Sequence, residues 1–210
     1  MTETRDKILD TAERLFGEQG YAATSLRQII AEAGVNLAAI HYHFGSKEDL
    51  LDRLILRKAS PVNEERLATL DGLEATAGAG PVPLEEILRA FLGPPFRRME
   101  DSPGILKLMG RMYGEGLMPS IAEKHFHTVK TRFLTAFGRA LPDLTPEELA
   151  LRTQFMVGAM AHCMFAVPQG HKHCGISRNE SAIVLGELVS FLSGGLRAPA
   201  AALVESLEEK

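Results

Sequence analysis

The chain has 210 residues, 45% of them hydrophobic and 24% charged, with a formal net charge of −4. These are the proportions of an ordinary soluble globular protein of one or two domains, long enough to bury a sizeable core and with no overall basic excess to announce nucleic acid. Two cysteines, a charged amphipathic N-terminus and no apolar run long enough to span a bilayer exclude a disulfide framework, a signal peptide and a membrane span, so a cytoplasmic protein with no membrane partner is expected.

The pattern is helical throughout. Ile8, Leu9, Ala12, Leu15 and Phe16 make one apolar stripe, and Gly20 supplies a stop. In "TSLRQIIAEAG", Ser25 and Gln28 fit a capping box, in which each side chain serves an unpaired backbone N–H. Leu26, Ile29, Ile30 and Ala33 form the buried face of this second helix, and Gly34 ends it. Asn36 caps a short third helix ending at Gly45, and Ser46 caps a fourth with Leu50, Leu51, Leu54 and Ile55 as its stripe. Residues 24–45 therefore read as a helix-turn-helix, with Gly34 in the left-handed conformation that the Ala33-Gly34-Val35 turn needs. Val35 and Ile40 pin the third helix to the core, and Phe44 closes its far end. Its other faces carry Leu37, Ala38 and His41, flanked by Ala39, Tyr42 and His43. Small and polar groups of this kind suit a major groove, which gives the exposed polar aromatics a task.

Further on, Pro61 marks a kink or break in or after the fourth helix, and "EATAGAGPVP" reads as a loop and the best boundary between subregions. A helix is expected from Leu84 through Phe91, interrupted by Gly93, Pro94 and Pro95. Others are expected over 104–116, over 119–140, and from Thr145-Pro146 to Pro168. "QGHKHCG" is a loop, and Ser177 or Asn179 caps a last helix ending near Gly194.

Residues 4–55 resemble the N-terminal domain of TetR-family transcriptional regulators, through "ILDTAERLFGEQGYAATSLRQIIAEAGV" and "IHYHFGSKEDLL". The resemblance implies an all-α fold: a three-helix helix-turn-helix domain over 1–55, then a helical effector-binding and dimerisation domain over 56–210. It also implies a homodimer on double-stranded, pseudo-palindromic operator DNA, with no catalytic activity and no cofactor. Matched residue by residue, Arg27 reaches a base edge, and Thr24 and Ser25 suit a phosphate at a helix N-terminus. Leu37, Ala38 and His41 face bases, while Tyr42, His43 and Lys47 touch the backbone. Apolar contacts from Leu37 and Ala38 make direct readout thin, so DNA shape is expected to contribute. Each position also has a plainer reading: Arg27 as a solvated helix residue, Tyr42 packed under the fourth helix, Lys47 as surface charge. Glu48, Asp49 and Asp52 crowd Lys47, so the footprint reduces to a local strip of Thr24, Arg27, His41, Lys47 and Arg53 with a modest salt slope.

Apart from the initiator, every methionine lies in the C-terminal part. Met109, Met112 and Met156, with Phe91, Phe133 and Phe155, form either a methionine-rich core or an adaptable pocket for a hydrophobic effector. Arg111, Tyr113 and His162, then Arg132 and Gln154, are candidate polar anchors. "LMGRMYGEGLMPS" and "FLSGGLRAPA" resemble a fatty-acid-responsive branch of the family, which implies an acyl chain or acyl thioester as effector and a repressor that it releases. "MVGAMAHCMFA" and "AIVLGELVSFL", the latter with Ile183, Val184, Leu188, Val189, Phe191 and Leu192, are candidate dimer helices. The rival is a metal-responsive regulator using His162, Cys163, His171, His173 and Cys174, although their spacing matches no standard zinc motif and no metal ligands are assigned. Nothing resembles a nucleophile elbow, a phosphate-cradling glycine loop or a paired-carboxylate site.

Overall fold

The computed structural model describes residues 2–98, 103–166 and 181–199. Among these the structure is all-α: α1 (Thr2–Gln19), α2 (Leu26–Ala33), α3 (Leu37–His43), α4 (Lys47–Ala77), α5 (Leu84–Arg98), α6 (Pro103–Gly114), α7 (Met118–Ala140), α8 (Pro146–Ala166) and α9 (Ser181–Arg197).

Two apolar clusters organise these helices. The first contains the α1 stripe of Ile8, Leu9, Ala12, Leu15 and Phe16, all fully buried. It packs on Ile29 and Ala33 of α2, Ile40 of α3 with Phe44 beyond it, and Leu50, Leu54 and Ile55 of α4. Each large side chain withdrawn from water contributes about 1.5–3 kcal/mol. Leu108 and Met112 of α6 and Ile121 of α7 complete this cluster. The second cluster joins Leu70 of α4, Leu88, Leu92 and Phe96 of α5, Phe133 and Phe137 of α7, Met156 of α8, and Leu188 and Leu192 of α9.

Three sequence expectations need correcting. The fourth helix does not end at Pro61: α4 is continuous for 31 residues. Its first half is set in one cluster and Leu70 in the other, and tertiary packing overrides one lost backbone hydrogen bond. At the junction, Arg57 pairs with Asp10 and Lys58 with Glu13, both at 2.7 Å, fixing the middle of α4 to α1.

Nor is α5 interrupted by Gly93, Pro94 and Pro95, all of which are buried within it. Pro95 has no N–H for the carbonyl of Phe91 four residues earlier. The Nε of Arg66, from α4, donates to that oxygen at 2.7 Å in its place. The last helix runs past Gly194 to Arg197, which with Ser193 holds Glu85 of α5. The expected caps Ser177 and Asn179 lie outside the described residues.

The opening of α8 follows the expectation. Thr145 Oγ1 accepts from the Glu148 N–H at 3.2 Å, and Glu148 Oε2 accepts from the Thr145 N–H at 2.9 Å. This reciprocal pair satisfies two donors at a helix N-terminus.

Candidate nucleic-acid interface

Helices α2 and α3 owe their positions to their caps. Ser25 Oγ accepts from the Gln28 N–H at 3.2 Å, and Asn36 Oδ1 accepts from the Ala39 N–H at 2.8 Å. Between them Gly34 takes φ +61°. Its N–H reaches Ala31 O at 3.3 Å and that of Val35 reaches Ile30 O at 3.2 Å, the paired closure of a left-handed helix end. The capping box is only half made. The Gln28 side chain does not turn back to the Ser25 N–H; its Nε2 donates instead to Gln19 Oε1 at 3.1 Å, tying α2 to the end of α1.

With Ile40 buried on one face, the opposite face of α3 must point outward. Leu37, Ala38, His41 and Tyr42 are exposed, Tyr42 at 72%. His43 is half-buried and meets the Tyr42 ring edge-on at 5.0 Å. Arg27 is exposed on α2. Lys47 is half-buried in the first turn of α4, its Nζ 4.2 Å above the Tyr21 ring. Burial, then the neighbouring Glu48 carboxylate, pushes the Tyr21 phenol up to about 12, so the ring beneath the lysine stays neutral. Tyr21 is a support that the sequence reasoning did not single out.

Thr24 is the exception in the candidate strip. It is only 1% exposed, and its hydroxyl donates inward to Gly20 O at 2.8 Å, with Leu15 O at 3.3 Å. That hydroxyl serves the backbone of the α1–α2 turn and does not offer itself to a phosphate. Ser25 is exposed, but its oxygen already caps α2. Arg53 is exposed beside the strip on α4. Arg14, by contrast, is occupied by Glu18 at 3.1 Å and by Glu32.

Comparison with known proteins decides the family. The family model for bacterial regulatory proteins of the TetR family matches residues 8–54, and the model for the tetracyclin repressor-like C-terminal domain matches residues 89–195, about half of the chain. The chain belongs to the TetR family. This TetR-family chain is 45% identical over 65 residues to the HTH-type transcriptional regulator AcrR of Shigella flexneri, a match covering 31% of the chain and 30% of the relative. The likeness to curated relatives thus spans between about a fifth and a third of their length. The structure of the fatty acid degradation regulator FadR from Bacillus halodurans shares the fold at TM-score 0.59 and 18% identity, covering 93% of this chain and 97% of that one. A TerR/AcrR-family transcriptional regulator from Aquifex aeolicus VF5 does so at 0.55 and 19%, covering 90% and 98%.

In this TetR-family chain the expected pocket residues do not converge. Phe91, Phe133 and Met156 meet in the second cluster, where the Phe91 and Phe133 rings are 5.1 Å apart. Met112 is buried in the first cluster instead, with Met109 packed against it. Arg111 is not a free anchor: its Nε donates to Gly17 O at 3.0 Å and its Nη2 to Glu18 O at 2.7 Å. Those carbonyls lack helical partners at the end of α1, and a cation there is favoured. Arg132 is likewise occupied, by Asp71 and Glu74. Tyr113, Phe155 and His162 lie at the surface, Phe155 at 64% exposure. Of the His/Cys group, His162 and Cys163 sit on α8, while His171, His173 and Cys174 lie outside the described residues. Among the described residues no three His, Cys, Asp or Glu side chains are placed to hold a metal, and no helix is long and apolar enough to cross a membrane.

The dimer-helix expectation also divides. Val184, Leu188, Val189 and Leu192 are buried within one chain, whereas Ile183 and Phe191 of α9 face outward, as do Leu151 and Phe155 of α8. Arg66 was missed altogether. Its signal was present: Asn63, Arg66, Leu70, Leu73 and Ala77 follow the spacing of a core stripe, with a cation among apolar positions.

Proposed function

We propose that this protein is a non-catalytic, cytoplasmic transcriptional regulator that grips operator DNA through α2, α3 and the start of α4. The observation that carries the reading is the outward face of α3. Its small and polar side chains stand exposed while Ile40 and Phe44 fix the helix from behind. Arg27, Leu37, Ala38 and His41 face bases. Tyr42, His43 and Lys47 face the phosphate backbone, with the N-terminus of α2 at Ser25 beside them. Residues 1–55 act as the DNA-binding unit and 56–210 as the effector and dimerisation unit.

A second copy of the chain covers the apolar surface that Leu151, Phe155, Ile183 and Phe191 leave on α8 and α9. Two-fold symmetry then presents two α3 helices to major grooves about one helical turn, roughly 34 Å, apart or a multiple of it, and selects pseudo-palindromic sites. An apolar effector received among the methionines and phenylalanines of the second cluster releases the repressor by favouring dimers whose spacing no longer fits.

A gel-shift titration at several salt concentrations tests the interface. The double variant Tyr42→Ala, Lys47→Ala should bind every operator-like duplex more weakly and with a shallower salt dependence. Wild-type affinity in that variant would remove both residues from the interface.

A further inference from the structure

Arg66 is only 4% exposed, and every partner that the structure gives it is uncharged. Its Nε donates to Phe91 O at 2.7 Å, its Nη1 to Asn63 Oδ1 at 3.3 Å, and its Nη2 meets the Met160 sulfur at 3.8 Å. The guanidinium lies 4.2 Å over the Phe91 ring. No carboxylate among the described residues pairs with it. Glu65, its neighbour in sequence, is engaged by Arg97 at 2.6 Å and Arg98 at 3.2 Å. Burial draws the guanidinium down to about 10. One task explains part of this placement, the Phe91 carbonyl that Pro95 leaves without a donor. A neutral donor would also serve that carbonyl, and apart from the face of the Phe91 ring the charge meets no counter-ion among the described residues.

We propose that Arg66 anchors the carboxylate of an amphiphilic effector, whose apolar chain lies among Phe91, Phe133, Met156 and Met160. The inference rests on the apolar-effector reading above and adds the charge of the ligand's head. The Met160 sulfur occupies the place that the carboxylate takes. A thioether is a weak acceptor on a flexible side chain, so exchanging it for a charge-assisted, two-pronged contact favours the ligand. Leu88, Phe137 and Leu192 of the same cluster are buried around these residues, so the chain enters by displacing packed side chains. An acyl thioester brings only a neutral carbonyl to this point and is the poorer fit.

Thermal melting and calorimetry of the full-length protein with decanoate and with decan-1-ol separate the two ideas. Decanoate at a hundredfold excess over its Kd should raise Tm by about 5–10 °C. It should bind roughly 10- to 100-fold more tightly than the alcohol. Arg66→Gln keeps a donor for the Phe91 carbonyl and removes the charge, so it should retain the response to decan-1-ol and lose the preference for decanoate. In Met160→Glu a carboxylate held beside Nη2 should raise the ligand-free Tm and abolish the same preference, which covers the case of an unfolded Arg66→Gln. Equal binding of acid and alcohol to the wild type, or a preference that survives in either variant, overturns the anchor and leaves the apolar-effector reading standing. Binding of neither compound ends both.

Discussion

At the scale of single residues, charge matters where it lacks, or holds, a defined partner. Arg27 is exposed on α2, beside the outward face of α3 with its Leu37, Ala38, His41 and Tyr42. If it reads a base edge, Arg27→Ala should relax base preference at one half-site position by about 1–3 kcal/mol, while total affinity falls less. Selection from random duplexes checks this, and an unchanged consensus would assign Arg27 to solvent. Glu85 is the opposite case. Hydrogen bonds from Arg197 and then Ser193 hold its carboxyl down at about 2, against the ordinary 4.5. A carboxylate lowered in the folded state stabilises above its unfolded value, and that contribution disappears as pH falls through the folded value. Acid unfolding followed by circular dichroism should therefore show a loss between pH about 4.5 and 2 that Glu85→Gln reduces. The side chain is 41% exposed, so solvent screening keeps this part of the loss small.

At the scale of elements, the helix proposed for recognition is short and depends on its ends. Helix α3 has seven residues, too few to persist alone in water. Asn36 caps it, and the left-handed Gly34 aims it. Asn36→Ala should cost about 0.5–2 kcal/mol and Gly34→Ala about 1–2 kcal/mol, the latter because a Cβ strains a backbone at φ +61°. Urea denaturation measures both. DNA affinity should fall by more than the global stability loss, since α3 frays before the core opens. The long α4 joins the regions: Arg57 and Lys58 bind α1, while Asp52 receives Lys124 and, at 3.1 Å, His125 Nε2 from α7. Burial alone would raise the Asp52 carboxyl, yet these two donors bring it below its usual range. Arg111 adds a clamp from α6 onto the end of α1. Helices carrying the second cluster are thus tied to the helix that supports the proposed recognition surface.

For the whole molecule, the proposed mechanism needs a symmetric pair. Phe155 and Phe191, at 64% and 73% exposure, are large apolar groups that a lone chain leaves in water. Phe155→Asp with Phe191→Asp introduces like charges where two copies would meet. Sedimentation should then show a monomer of about 23 kDa instead of a dimer near twice that mass, with specific operator binding lost. A variant that sediments like the wild type would move the interface elsewhere.

The sequence by itself determined α1 to α3, the capped start of α4 and the outward face of α3, because those features are set locally. Periodic apolar positions, polar caps and one left-handed glycine are each legible within a few residues. Met112 in the first cluster, Arg111 on α1 and Arg66 in the second cluster come from helices distant in the chain, and no local pattern specifies which neighbour they meet. Thr24 looked like a phosphate contact for the same reason. Only the fold shows that its hydroxyl turns inward to Gly20. The tertiary structure also carried α4 through Pro61 and α5 through Pro94 and Pro95, since packing on two sides outweighs a backbone bond that proline removes.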